Sequence, residues 1–359
     1  MNRAGLLGGL TGVVVAGVAV GLAGERYAVG RTRFAADPDA GEPFFHLPYD
    51  RVVPVVADDG VALHVEEVGP TTAPLTVVFC HGYTQELAVW HFQRRLLAAD
   101  NPGKLVFWDQ RSHGRSGRSS AAGSTIEQLG KDLHAVLQAT APTGRVVLVG
   151  HSMGGMTIMA LADQHPELFG SRVTGVALIS TSTGKLAEVT FGFPSVVGPV
   201  ARRVLPLLTR GLRSRPALFE HGRRLGTDLA FVVSRRAAFG SGPVSPSLVQ
   251  FVEQMTARTP VDVIAEFVDT FLDHDKLAAL GVLASVETVV IAGSKDLITP
   301  VEHSRAIATA LPNAQFVVVE DAGHMVQLER APLVTLHLRA LLRRAARLPA
   351  TMTPESAGA

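Results

Sequence analysis

A serine set between glycines, Ser152, is the residue whose type and setting point most directly to chemistry. It stands in the run Gly150-His151-Ser152-Met153-Gly154, which has the form G-x-S-x-G. Four apolar residues precede this run and a helical pattern follows it, so the serine lies where a predicted strand ends and a helix begins. Glycines two positions before and after leave room for a strained turn that holds the hydroxyl out at the sheet edge. The stretch predicts that Ser152 is a nucleophile.

A serine becomes a nucleophile when a histidine takes its proton and a carboxylate orients that histidine. Among 13 histidines, His324 follows the last predicted strand, at the same edge of the sheet as Ser152. Asp296 follows the penultimate strand, in the run GSKDLITP. Asp321 and Glu329 also lie near the base, but we expect Asp321 to shape its own loop. The expected triad, in chain order, is Ser152, Asp296 and His324.

Acyl chemistry on a serine also needs backbone N–H groups that stabilise a developing oxyanion. One donor is expected from Met153, which follows the nucleophile at the amino end of a helix. The other is expected from Tyr83, in the run FCHGYT, where Gly82 lets the next amide turn inward. Two interpretations of the Tyr83 side chain stay open: it lines the pocket, or it is a partly exposed aromatic on a loop.

The elements that must position these residues alternate regularly from about Arg51. Continuous apolar strands between amphipathic helices are typical of a mainly parallel sheet covered on both faces. A hairpin signal, Asp58-Asp59-Gly60, joins the first two short strand-like runs. The later predicted strands are LTVVFCHG, KLVFWDQ, RVVLVG, VTGVALIST, ETVVIAGSKD and AQFVVVEDAGH, and the predicted helices cover 87–99, 125–140, 156–169, 302–311 and 326–347.

The alternation stops between Leu186 and about Leu283, where helical patterns occur without a convincing strand. An all-helical insertion between two strands of one sheet is typical of a lid that shapes access to a site. An extra packing layer without a gating role is the alternative. For its last part, about Pro260–Leu283, the alternative is that it belongs to the core layer. The apolar residues near its start are Phe191, Phe193, Val196, Val197, Leu205, Leu207 and Leu208.

The amino terminus carries a separate signal. The segment Ala4–Gly24 has 21 residues without a charge, enough at about 1.5 Å per residue to cross a hydrocarbon layer of about 30 Å. It predicts a single membrane anchor. A cleavable signal peptide is the alternative, because Gly21-Leu22-Ala23 offers small residues for cleavage, and the protein would then be secreted. Glycines in this segment recur at four-residue spacing, which would let two such helices pack closely. The alternative is that glycine is simply common in membrane segments.

Basic residues flank this segment unequally: Arg26, Arg31 and Arg33 follow it, and only Arg3 precedes it. The positive-inside bias favours a catalytic domain on the cytoplasmic side. The organisation we expect is an anchor or signal segment at 1–24, a linker at 25–50, a core formed by 51–185 and 284–347, a helical lid at 186–283, and a disordered tail at 348–359.

Composition excludes several classes of function. The formal net charge is +1 and the 33 basic residues are scattered, so no nucleic-acid surface is expected. Cys80 is the single cysteine, which excludes an intramolecular disulfide, and we expect it to fill the core. No CxxC or His-rich cluster is present, and no metal or organic cofactor is expected. The basic face of the terminal helix is predicted to be solvated rather than a docking surface.

Five ordered motifs make the chain resemble the lid-bearing α/β-hydrolases, a family of esterases, lipases, perhydrolases and carbon–carbon bond hydrolases. The motifs are HGYT, WDQRSHGRS, GHSMGG, GSKDLITP and DAGHMVQLE, and the likeness covers about Val52–Leu342. The resemblance implies an eight-stranded sheet with only the second strand antiparallel. It places nucleophile, acid and base on Ser152, Asp296 and His324, and the oxyanion donors on Tyr83 and Met153.

One position departs from the pattern: Ser112 stands where relatives often have glycine. The loop around it, with Asp109, Arg111 and His113, is predicted to be structural. The resemblance implies a serine hydrolase that cleaves a carboxylic ester through an acyl-enzyme on Ser152. The apolar start of the lid and the upstream membrane segment favour a lipophilic ester. Other reactions of the same triad stay open, namely perhydrolysis, carbon–carbon bond hydrolysis, amide hydrolysis and acyl transfer. A non-catalytic, membrane-attached binding module is the remote alternative.

Overall fold

An eight-stranded sheet forms the centre of the molecule. The structure, a computed structural model, describes residues 35–186, 189 and 234–347. The strands are β1 (Arg51–Val56), β2 (Ala62–Val68), β3 (Leu75–Cys80), β4 (Lys104–Trp108), β5 (Arg145–His151), β6 (Val173–Ile179), β7 (Glu287–Gly293) and β8 (Gln315–Val319).

The strands lie in the order β1-β2-β4-β3-β5-β6-β7-β8. Strand β2 runs antiparallel to both of its neighbours, and every other pair is parallel. The prediction of a mostly parallel sheet with one antiparallel second strand is therefore confirmed. Because the parallel strands share one direction, the loops that follow β3, β5, β7 and β8 meet at one edge.

Residues 234–238 are helical, and nine further α-helices within the described ranges cover both faces of the sheet. They are α1 (His91–Asp100), α2 (Ile126–Thr140), α3 (Met153–Gln164), α4 (Pro246–Arg258), α5 (Val261–Asp273), α6 (Leu280–Leu283), α7 (Val301–Ala310), α8 (Val326–Glu329) and α9 (Ala331–Ala345). Short 3-10 turns at Leu87–Trp90, Ala121–Gly123 and Pro166–Leu168 complete the helical structure.

Helix boundaries follow local chemistry. The side chain of Thr125 caps α2 by accepting a hydrogen bond from the Gln128 amide. Helix α3 begins at Met153, three residues earlier than predicted, because the turn at Ser152 passes directly into it. The predicted helix 326–347 is two helices, since Pro332 in the first turn of α9 has no N–H to continue the helix.

Alternating side chains of each central strand enter two cores. Val77 and Phe79 of β3 pack with α1, α4, α8 and α9 on one face. Val78 and Cys80 pack with α2, α3, α6 and α7 on the other. All four side chains are fully buried, and such burial contributes roughly 1.5–3 kcal/mol for each large apolar side chain. The core fixes the sheet edge on which the predicted site lies.

The described part of the predicted lid packs closely on this core. Phe251 of α4 lies in the same core as Val77 and Phe79, together with Met325 and Val326 from the region after β8. Val263 and Phe267 of α5 form a third cluster with the first turns of α2 and α3. Helix α5 therefore lies beside the amino end of the helix that follows Ser152.

Several predictions concern residues outside the described ranges. They are the membrane segment Ala4–Gly24, the apolar residues from Phe191 to Leu208, and the tail at 348–359. Among the helices that the structure does describe, none combines the length and the apolar character that a membrane crossing requires.

Candidate active site

Ser152 occupies a strained turn between β5 and α3. Its backbone angles are φ 52° and ψ −118°, a conformation that residues other than glycine rarely adopt. The turn closes tightly, because a Cβ atom on Gly154 would lie 2.0 Å from the backbone oxygen of Cys80. One on Gly150 would lie 2.5 Å from the oxygen of Gly154. Both glycines of the motif are thus required by close backbone approach, as the sequence predicted.

The predicted base and acid meet at the same sheet edge. His324 Nδ1 lies 2.9 Å from Asp296 Oδ2, and both side chains are buried. The carboxylate can only accept, so Nδ1 carries the proton and Nε2 is left free to accept a proton. Ser152, Asp296 and His324 are 7%, 4% and 4% exposed, which places all three in a largely desolvated site.

Asp296 is held as a carboxylate by several donors. The backbone N–H groups of Ile298 and Thr299 each lie 2.9 Å from Oδ1, and the Thr299 hydroxyl donates to Oδ2 over 2.9 Å. Burial by itself would raise the pKa of Asp296, but the neighbouring His324 and these hydrogen bonds bring it below its ordinary value. Asp296 is therefore ionised at neutral pH and able to stabilise an imidazolium on His324.

The two other carboxylates near the base serve its loop. Glu329 accepts from the amide of Gly323 over 2.6 Å and from the amide of Gly240 over 3.0 Å. Asp321 accepts from the Ser241 hydroxyl over 2.9 Å, and its own φ is 59°. Both carboxylates thus brace the loop that carries the base, and neither is bonded to the imidazole ring.

The expected oxyanion donors lie next to the nucleophile turn. Met153 is the first residue of α3, so its N–H has no acceptor within the helix. Within the described part of the chain, the Tyr83 N–H also has no hydrogen-bond partner. Strands β3 and β5 are neighbours with Cys80 opposite Gly150, so the loops after them lie side by side. The arrangement brings both amides to the turn that carries Ser152.

The Tyr83 side chain is partly buried and joins the expected oxyanion loop to α5. Its hydroxyl donates to the backbone oxygen of Ile264, and its ring lies 4.9 Å from that of Phe271 and 6.1 Å from that of Phe267. Burial raises the pKa of the Tyr83 hydroxyl above its ordinary value. Its contacts on α5 indicate a packing role in an apolar wall that also includes Met153.

The loop after β4 is structural, as expected. Arg111 makes a bidentate ion pair with the buried Asp132 and bonds Asp59, while Asp109 accepts from the amides of Leu87 and Arg115. Burial raises the pKa of Asp109 to about 6.

The structure shows how a serine is accommodated at position 112, the one departure from the family pattern. Its φ is 65°, a left-handed conformation in which glycine is strained least, and its hydroxyl accepts from the Ser119 amide over 2.9 Å.

Four supporting residues were not singled out by the sequence. Thr181 bonds the carbonyl of Ser152, Thr299 bonds Asp296, and Gln85 and His151 lie between the loops of the site. The local sequence indicates only the turn beside Thr299, because an aspartate side chain commonly bonds the backbone two residues on, as Asp296 bonds Ile298. Among the residues that the structure describes, no group of three or more His, Cys, Asp or Glu side chains is placed to hold a metal ion.

Comparison with known proteins places this arrangement in a family. A family model described as the alpha/beta hydrolase fold matches residues 76–331. The chain is 27% identical over 282 residues to a 2-hydroxy-6-oxononadienedioate/2-hydroxy-6-oxononatrienedioate hydrolase of Cupriavidus pinatubonensis, covering 76% of this chain and 88% of that one.

Two further matches extend the comparison. An acetyltransferase component of the acetoin cleaving system of Pseudomonas putida is 27% identical over 282 residues, covering 77% of this chain and 65% of that protein. The chain therefore spans about two thirds of that relative's length. The solved structure of an enol-lactonase from Burkholderia xenovorans superposes with a TM-score of 0.59 at 26% identity, covering 82% of this chain and 100% of the other. The chain belongs to the alpha/beta hydrolase fold family.

Proposed function

We propose that this hydrolase cleaves carboxylic esters with lipophilic acyl groups through an acyl-enzyme on Ser152. The observation that carries the proposal is the buried Asp296–His324 pair, 2.9 Å apart, at the sheet edge where the strained Ser152 turn lies. A serine, an imidazole and a carboxylate with pKa below its ordinary value are the groups that acyl transfer through serine requires.

The proposed reaction has two halves. His324 Nε2 takes the proton of the Ser152 hydroxyl, whose oxygen attacks the ester carbonyl, and the amides of Tyr83 and Met153 stabilise the oxyanion. Collapse of the tetrahedral intermediate expels the alcohol, which receives its proton from His324. Water then attacks the acyl-enzyme with His324 again acting as base, and Ser152 is released with the carboxylic acid product.

The apolar wall beside Ser152 supports a lipophilic substrate. Met153 and Met156 from α3 pack with Val263 and Phe267 from α5, and Tyr83 and Phe271 lie against them. Tyr83 and Phe271 are only partly buried, so they are members of this wall that an apolar acyl chain could contact. The enol-lactonase is consistent with ester chemistry on this fold, since a lactone is a cyclic ester.

Carbon–carbon bond hydrolysis is the second candidate, favoured by the match to the hydrolase of Cupriavidus pinatubonensis. The same triad and oxyanion donors would serve either reaction, because the bond that breaks depends on the leaving group. In both reactions the proton that His324 takes from Ser152 goes to the leaving group, to the alkoxide oxygen in ester cleavage and to a carbon atom in carbon–carbon bond cleavage.

Turnover of a substrate series tests the proposal. We expect the full-length chain, purified in detergent, to hydrolyse nitrophenyl esters with kcat/KM rising by about tenfold or more from acetate to octanoate, as extra methylenes are buried. The comparison substrate, which reports carbon–carbon bond hydrolysis, is a coloured diketone of the kind formed by oxidative opening of an aromatic ring. Its absorbance is lost when the carbon–carbon bond is cleaved. Activity on the diketone without activity on any ester would overturn the ester proposal in favour of the second candidate.

We further propose that Ala4–Gly24 anchors the protein in a membrane with the hydrolase domain on the cytoplasmic side. The uncharged length of the segment and the three arginines that follow it support this proposal. The test is protease protection of a carboxyl-terminal tag in spheroplasts. Protection of the tag, together with a full-length mass, is the expected result. Digestion of the tag or loss of the segment would contradict it.

A further inference from the structure

His151, the residue before the nucleophile, lies where three loops of the site meet. Its Nε2 is 2.9 Å from the backbone oxygen of His324, and its Nδ1 is 3.1 Å from Gln85 Oε1. Gln85 Oε1 also accepts from the amide of Gly82, over 3.1 Å. The nucleophile turn, the base loop and the oxyanion loop are therefore connected through two side chains.

This connection is wholly internal. His151 is fully buried and Gln85 is nearly so, and the imidazole rings of His151 and His324 lie 4.7 Å apart. A Cβ atom on Gly82 would lie 2.9 Å from His151 Nδ1 and 3.0 Å from the Gln85 amide. The oxyanion loop can therefore approach the pair only because Gly82 has no side chain.

Hydrogen-bond chemistry decides which nitrogen carries the proton. Burial, with the nearby His324, lowers the pKa of His151 to about 3, so the ring is neutral and has one N–H. The backbone oxygen of His324 can only accept, whereas the Gln85 amide can turn its NH2 group towards Nδ1, in exchange for the bond that Oε1 accepts from the Gly82 amide. Nε2 is therefore the donor, and its bond holds the backbone of the catalytic base.

We propose that His151 is a positioning residue that sets the distance of the His324 ring from Ser152 by holding the His324 backbone, with Gln85 supporting it from the oxyanion loop. The inference rests on the proposed function only in its choice of nucleophile and base. Because His151 adjoins Ser152 in the chain, a bond from its ring to His324 ties both catalytic residues into one rigid unit. Misplacement by about 1 Å can cost on the order of 100-fold in rate.

Two substitutions of His151 test the hydrogen bonds of its two ring nitrogens separately. In His151→Gln, the amide nitrogen takes roughly the place of Nε2 and can still donate to the His324 oxygen. In His151→Asn, it takes roughly the place of Nδ1, and the bond to His324 is lost. We expect His151→Asn to lower kcat by about 10- to 100-fold with KM changed less than about twofold, and His151→Gln to restore kcat to within about fivefold of wild type.

A matched control is His91, which is also fully buried and whose Nε2 lies 2.9 Å from Glu42 Oε2, a residue outside the three loops of the site. His91→Asn should lower the melting temperature without lowering kcat. Gln85→Met serves if His151→Asn does not fold, and we expect it to lower kcat by about tenfold. The rate of fluorophosphonate labelling is measured for every variant in the full-length chain, so the test does not depend on ester turnover.

The outcomes separate cleanly. A His151→Asn protein that labels and turns over as fast as wild type would overturn the proposal. Equal losses in His151→Asn and His151→Gln would do so as well, because the bond from Nε2 would then be irrelevant. If His151→Asn fails to fold, unchanged kcat in Gln85→Met has the same meaning. Wild-type labelling without any ester turnover would instead count against the ester substrate alone.

Discussion

The hydroxyl of Thr181 donates a hydrogen bond of 2.7 Å to the backbone oxygen of Ser152. The backbone N–H of Ser152 in turn donates to the oxygen of Ile179, over 2.9 Å. Ile179 is the last residue of β6, the strand beside the Ser152 turn, and Thr181 follows it two residues later. The peptide groups on either side of Ser152 are thus held by neighbouring residues, and these two bonds stabilise the strained φ of 52°.

Replacing Thr181 by valine should relax this turn. The valine keeps the shape of the side chain but leaves the Ser152 oxygen without its donor, a loss of about 1 kcal/mol. We expect kcat to fall by about fivefold and the free energy of unfolding by about 1 kcal/mol. Steady-state kinetics and urea unfolding measure both. Thr181→Ser, which retains the hydroxyl, is the control, and equal kcat in the valine and serine variants would contradict the account.

Thr299 should orient the acid of the triad. Its hydroxyl donates to the same Asp296 oxygen, Oδ2, that bonds His324 Nδ1. In Thr299→Val, Oδ2 loses one of its two partners and is held less firmly toward His324, although the amides of Ile298 and Thr299 still hold Oδ1, so we expect kcat to fall about tenfold. Thr299→Ser should stay within about twofold of wild type. The account would be wrong about Thr299 if valine and serine gave the same kcat.

Gly154 should tolerate no side chain. A Cβ atom there would meet the Cys80 oxygen at 2.0 Å, which is backbone and cannot move without shifting β3. We expect Gly154→Ala to cost more than about 3 kcal/mol of stability and to abolish labelling of Ser152. Gly281→Ala is the matched control, because nothing lies within 4 Å of a Cβ atom in that helix. The control should be neutral or stabilising by up to about 1 kcal/mol. Normal stability of Gly154→Ala would refute the tight turn.

Glu66 makes stability depend on pH. Burial opposes its ionisation, but hydrogen bonds with His64, Arg94 and Arg115 lower its pKa from 4.5 to about 2. A carboxyl whose pKa is lower in the folded state stabilises the fold above pH 4.5, and this stabilisation is lost as the pH falls toward 2. The free energy of unfolding of wild type and of Glu66→Gln is measured in urea at several pH values. We expect the difference between the two proteins to shrink by up to about 3 kcal/mol as the pH falls. Parallel pH curves for the two proteins would contradict this origin.

The sheet could be predicted well because its signals are local. Continuous apolar runs such as those of β3 and β5 are fully buried, and the loops that follow them carry the motifs. The carboxyl ends of parallel strands share one edge, so His324 and Asp296 could be expected to meet although 28 residues separate them.

The supporting contacts could not be predicted because they depend on side-chain geometry between distant segments. Nothing in the local sequence of His151 indicates that its ring bonds the backbone of His324, 173 residues later. The same holds for Tyr83 and the carbonyl of Ile264 in α5. The break before α9 was missed for a different reason, since the apolar period continues through Arg330 while the backbone leaves the helical region there.

The most direct test of the central claim is covalent labelling of the full-length chain with a fluorophosphonate, followed by peptide mass mapping. The account predicts one adduct, on Ser152, no adduct at all in Ser152→Ala, and labelling slowed by at least about 100-fold in His324→Gln, since the base can no longer take the hydroxyl proton. Equal labelling of wild type and Ser152→Ala would contradict the assignment of Ser152 as the nucleophile.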